Sequence, residues 1–156
     1  MDQQSGDEQS VGFTLLELMI VLAIGAALTA LATPTLLSYW DSWSLQAGAR
    51  EVASIVNLGR QLAIATRTAV CVDLDGASLR FRIGGCAGPV WRGSVTDAAG
   101  TIRLSDTNLL ELSSNGRPVF TTLGAASPGA TYTVWHARTH ASRTVVVAGS
   151  GRITVE

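Results

Sequence analysis

The chain has 156 residues, 47% of them hydrophobic and 15% charged, with a formal charge of -1. That length allows one ordinary domain, and the first quarter is so apolar that the domain must be built from the other three quarters, so one domain plus one anchor is the simplest reading. So small a net charge cannot hold a polyanion by bulk attraction, so any such site needs several arginines on one face.

Residues 1–12 are polar, with Asp2, Asp7 and Glu8 and no Lys or Arg. They run into Gly12-Phe13 and then a long apolar stretch. A secretory signal peptide has basic residues, an apolar core and then its cleavage site. Here cutting at Gly12-Phe13 comes before the apolar run and leaves it on the mature protein. From Leu18 to Trp40 there is no charged residue, more than the roughly 20 apolar residues that cross a hydrocarbon core of about 30 Å. Residues 13–40 therefore read as a transmembrane helix. Glu17 stands near its start; a carboxylate within an otherwise apolar spanning helix costs up to about 2.5–3.5 kcal/mol on insertion scales and usually marks function. The alternative is that Glu17, one turn from the end, snorkels to the headgroups. Pro34 removes a backbone hydrogen bond and predicts a kink or a locally melted stretch. Tyr39, Trp40 and Trp43 read as an interfacial aromatic belt.

The segment GFTLLELMIVLAIGAAL resembles the cleavage and methylation motif of type IV pilins and type II secretion pseudopilins. The resemblance implies that a prepilin peptidase cuts between Gly12 and Phe13 and that the new amino group of Phe13 is methylated. Glu17 then falls fifth in the mature chain, at the family's glutamate, where it would pair with the N-terminus of a neighbouring subunit and set the axial register of assembly. Pro34 falls where the family has a helix-bending proline. The implied partners are other pseudopilins or pilins in a helical filament, the inner-membrane assembly platform and inner-membrane lipid. The implied location is the bacterial inner membrane, crossed once, with the outer domain in the periplasm. The leader departs from the family in lacking positive charge. Its removal leaves eleven Arg against nine acids, a mature charge near +2.

Leu45, Ala49, Val52, Ile55 or Val56, Leu58 or Gly59, Leu62 and Ala65 or Thr66 recur at helical spacing, with Arg50, Glu51, Arg60 and Gln61 between them. Residues 41–68 thus read as the outer, amphipathic half of the same helix, ending near Arg67. A separate helix after a break is the alternative. Residues 69–156 then turn to short β-rich runs: Ala69 to Asp73, Ser78 to Ile83, Thr101 to Leu104, Val119 to Thr122, Thr131 to His136, Thr144 to Val147 and Arg152 to Val155. Asp75-Gly76, Asn115-Gly116 and Pro128-Gly129 supply turns. The first two runs predict a hairpin, with Cys71 and Cys86 on either side of it, placed to staple its open end. In an exported, oxidising setting the two are expected to pair, which is worth about 3 kcal/mol for a loop of this size in the chain-entropy model. Two free buried thiols are the alternative. The fold class is α+β and type IV pilin-like: a long N-terminal membrane and assembly helix packed on a small β-rich outer domain.

Within that family, ATRTAVCVDLDG, Cys86, WRGSVTDAAG and the closing RTVVVAGSGRITVE resemble the group of the minor pseudopilin GspH and the minor pilin FimT. The first branch implies a minor pseudopilin of the type II secretion system, needed to export folded proteins across the outer membrane. The second implies a minor type IV pilin in pilus initiation, with DNA capture in some members through a C-terminal Gly-Arg-x-Arg. Here Gly151-Arg152-Ile153-Thr154 keeps only the first arginine. Candidate DNA contacts are Arg138, Arg143 and Arg152, with His136 and His140 adding charge below about pH 6.5. Ordinary solvated charges on strand edges are the other reading.

The sequence shows no nucleophile with its base, no cofactor motif and no metal-ligand set, so no enzyme is expected. His136 and His140 lack a third ligand. Asp73 and Asp75 are too few for calcium and fit an Asp-Gly turn better. Gly84, Gly85 and Gly88 are followed by neither a lysine nor a helix, as a phosphate loop requires. Trp91 and Trp135 read as half-buried core or as partner-binding anchors. An anchored domain unrelated to filaments would need Gly12-Phe13 and Glu17 to be coincidence.

Overall fold

The computed structural model describes residues 14–156, with the backbone alone at 33–35 and 37. It opens on one helix, α1 (Leu15–Thr66), of 52 residues. The sequence supplies its start. Thr14 Oγ1 accepts the Glu17 N–H at 3.2 Å, and the Leu18 N–H reaches the Thr14 carbonyl at 3.1 Å. Thr14-Leu15-Leu16-Glu17 is the Thr-x-x-Glu order of a capping box, and a carboxylate in the first turn faces the positive end of the helix dipole. The helix ends at Arg67, whose φ is 51°. There the Thr68 N–H returns to the Ala63 carbonyl at 3.3 Å and the Arg67 N–H to Ile64 at 3.4 Å. This pair of bonds is a Schellman cap.

The chain divides into two units between Tyr39 and Trp40, so α1 contributes to both. In the unit Trp40–Glu156, the helix is followed by β1 (Val70–Asp75), β2 (Ser78–Ile83), β3 (Thr101–Arg103), β4 (Leu110–Ser114), β5 (Val119–Phe120), β6 (Ala130–His136), β7 (Ser142–Val147) and β8 (Ile153–Val155). They form two four-stranded sheets, ordered β3-β2-β1-β5 and β4-β6-β7-β8. Every named pairing is antiparallel.

Helical spacing places Leu45, Ala49, Val52, Val56 and Ala63 in the core. Of the paired options in the sequence, Gly59 faces inward and Leu58 is half-buried. Ala63 takes the place expected of Leu62. Two glycines bring the helix close to the sheets. A Cβ on Gly59 would lie 2.8 Å from Val72 Cγ2 and 3.0 Å from Phe81 Cε1, while one on Gly48 would overlap Leu110 Cδ1. Gly48 thus meets β4 and Gly59 meets β1 and β2. The sheets are also joined directly, because the Tyr132 hydroxyl donates to the Val72 carbonyl at 3.3 Å. Burial, and then the charge of Asp73, push that phenol well above its ordinary range.

The expected hairpin is β1–β2, in register from Val70↔Ile83 to Asp75↔Ser78. Its two-residue loop has Gly76 at φ 61°, where a side chain would be strained. A disulfide joins Cys71 in β1 to Cys86, three residues past β2, across 15 positions. The strand that the sequence reading lacked is β4, with Leu110 and Leu112 inward and Glu111 and Ser113 outward. Its leucines, serines and glutamate have weak strand propensity, so only the alternation and the following Asn115-Gly116 marked it. On the helix side of this region, the Ser105 N–H and hydroxyl donate to Glu51 at 3.1 and 2.8 Å.

Candidate assembly helix and outer-domain surface

Within α1, Leu15–Ala32 is 18 residues long and apolar enough to cross a membrane, with none of it buried. At about 1.5 Å per residue it nearly matches a hydrocarbon core of about 30 Å. Its one charged residue is Glu17, which is exposed and occupies the third helical position after the Thr14 cap. An uninterrupted exposed apolar surface of this kind needs lipid or other helices against it. Thr14 was not singled out in the sequence, although Thr-x-x-Glu ahead of an apolar run signals such a cap. Gly12 and Phe13 lie outside the described residues. The helix passes through position 34 without a break, and the side chain of Pro34 is also outside the description.

Tyr39 is exposed at the end of the first unit, and Trp40 and Trp43 are exposed at the start of the second. Between those two tryptophans, Asp41 turns the other way and meets the β6–β7 hairpin. Arg138 Nη2 bonds Asp41 Oδ1, and His136 Nε2 lies 3.6 Å from the same oxygen. His136 Nδ1 accepts the N–H groups of Arg138 and Thr139, each at 3.3 Å, while Nε2 faces Asp41 and makes no hydrogen bond among the described residues. His136 is fully buried, which corrects its reading as a surface charge. It occupies an inward position of β6, in the alternation that also buries Ala130, Tyr132 and Val134.

Residues 12–33 match the prokaryotic N-terminal methylation motif. The same architecture is found in crystal structures of the minor type IV pilin FimU of Pseudomonas aeruginosa. One gives a TM-score of 0.56 at 19% identity, covering 76% of this chain and 92% of that one. A second crystal form gives 0.51 at 20% identity, covering 72% and 92%. The fold is that of the type IV pilin-like proteins. The minor pseudopilin EpsH of the Vibrio cholerae type 2 secretion system is also similar, with a TM-score of 0.56 at 13% identity over 72% of this chain and 95% of that one. No curated protein sequence matched the chain.

On the outer domain of this type IV pilin-like chain, the three candidate DNA contacts are not brought together. Arg138 is held by Asp41. Arg143 is the second residue of β7, whereas Arg152 lies beyond its far end, bonded through its carbonyl to the Ala148 N–H at 2.9 Å. Val147 lies four residue steps along the strand from Arg143, or about 13 Å. Arg143 and Arg152 are exposed and enter no ion pair among the described residues. His140 is exposed, with φ 54° in the hairpin turn.

Asp73 and Asp75 are occupied by arginines. Arg82 lies 3.3 Å and Arg117 3.8 Å from Asp73, and Arg80 pairs with Asp75. Among the described residues no group of three His, Cys, Asp or Glu could hold a metal ion. In the loop after the disulfide, the Thr101 hydroxyl and then its N–H bond Asp97 and hold that carboxyl below its ordinary value of 3.8. The two tryptophans separate into different roles. Trp91 is half-buried, with its ring 5.9 Å from that of Phe81, while Trp135 is 43% exposed.

Proposed function

We propose that the chain is a minor subunit of a type IV pilin-like filament, and specifically a minor pseudopilin of type II secretion. One observation supports the filament-subunit reading: a capped, exposed apolar span, Leu15–Ala32, whose single charge is Glu17, inside the methylation motif and joined to a pilin-like outer domain; the pseudopilin branch rests on the resemblance to GspH. The prepilin peptidase cuts ahead of Phe13, and the helix then rests in the inner membrane with the outer domain in the periplasm. From there it joins neighbouring subunits side by side, Glu17 facing the methylated amino group of one of them. The role is structural, and no residue in this reading performs catalysis.

The second reading is a FimT-like minor pilin in pilus initiation, with DNA capture. Its support is the pair of exposed arginines that have no acidic partner among the described residues, Arg143 and Arg152. Deleting the gene and following a secreted hydrolase separates the two. Periplasmic accumulation, reversed by the restored gene, is the expected result. Normal export would overturn the secretion reading and leave the pilus branch.

A further inference from the structure

The outer face of the second sheet has no part in the filament reading, and its composition is unusual for this chain. Inward positions of β6 are Ala130, Tyr132, Val134 and His136, so Thr131, Thr133 and Trp135 face outward. Register extends that face across three strands. Trp135 has Glu111 of β4 on one side and Ser142 of β7 on the other, and the next row is Ser113, Thr133 and Thr144. Neighbouring strands lie about 4.8 Å apart and successive rows about 7 Å apart. The two rows therefore span about 10 by 7 Å, the size of one or two sugar rings.

Three features define what this platform accepts. Trp135 is 43% exposed, the one aromatic side chain in two rows whose other side chains are all polar. Around it stand four hydroxyls, from Ser113, Thr133, Ser142 and Thr144, and one exposed carboxylate, Glu111. Neither row contains an arginine, because Arg143 alternates with Ser142 and Thr144 and Arg152 lies beyond the far end of β7. A phosphate or sulfate polymer lying along these two rows would meet a carboxylate and no arginine within them. A neutral pyranose fits instead. Its axial C–H face stacks on the indole, and its equatorial hydroxyls reach the carboxylate and the surrounding hydroxyls.

We propose that this face is a binding site for a neutral polysaccharide strand, with Trp135 as the stacking anchor and Glu111 as the principal acceptor. The proposal is independent of the branch to which the filament belongs. It is tested on the full chain in a polyoxyethylene detergent, since alkyl glycosides would compete. Native gels are cast with a soluble neutral β-glucan, with a neutral α-glucan, or with dextran sulfate. The expected result is retardation by a neutral glucan and none by the sulfated polymer. Trp135→Ala weakens that retardation at least about tenfold, as removal of a central aromatic anchor does. Trp135→Tyr retains most of it, and both variants melt with the parent. Absence of retardation by both neutral polymers, equal retardation of Trp135→Ala, or preference for the sulfated polymer would each overturn the proposal.

Discussion

At Arg67 the chain places an arginine where a Schellman cap favours glycine, with φ 51° on an exposed residue. A left-handed backbone costs an L residue about 1–2 kcal/mol, and a glycine there recovers part of that against its larger loss of freedom on folding. Arg67→Gly is therefore expected to stabilise the outer domain by about 0.5–1 kcal/mol. A urea unfolding midpoint that stays put or falls would contradict this. Other residues differ in how far their chemistry shows in the sequence. Glu17 was visible because a charge is conspicuous in an apolar run, and the cysteine pair because it flanked a hairpin. The burial of His136 was not, since its inward position depends on which residue of β6 starts the alternation, and its nearest acid, Asp41, is distant in sequence.

Between elements, the junction of α1 with the first sheet depends on Gly59. An added methyl there meets Val72 and Phe81, both fully buried, at 2.8 and 3.0 Å. Overpacking of this kind costs about 1–3 kcal/mol, and alanine returns at most about 1 kcal/mol of helix propensity. Gly59→Ala is expected to destabilise the outer domain by about 1 kcal/mol, lowering its thermal midpoint by about 4 °C. An unchanged or higher midpoint would mean that the helix can lift off the sheet freely. The helix and seven of the strands were legible from period and turn residues. β4 was not, because its residue types favour other structures and its partner β6 lies beyond two intervening turns. The choice between Leu58 and Gly59 was equally closed to periodicity. It depends on how near the helix approaches the sheet, which is a packing fact.

For the molecule as a whole, the apolar span and its single carboxylate pull in opposite directions. Leu15–Ala32 favours the membrane, whereas the Glu17 carboxylate opposes insertion, by less than the about 2.5–3.5 kcal/mol that a charge costs at a helix centre. The cap from Thr14 places that carboxylate in the first turn, within reach of the surface, so a lone subunit can tolerate it by snorkelling. Snorkelling alone and a register role then differ in sign. Under snorkelling, Glu17→Ala would improve membrane retention and leave filament entry unchanged. Under a register role, it removes the partner of a neighbour's amino group, and entry falls while membrane retention does not. The expected outcome is normal processing, judged by mature mass, with undiminished subunit in the membrane fraction. The sheared filament fraction should lose about tenfold, equivalent to about 1.4 kcal/mol of lost pairing. Filament entry at the parent level, with mature mass correct, would reduce Glu17 to a capped and solvated side chain and remove the register role from the proposed function.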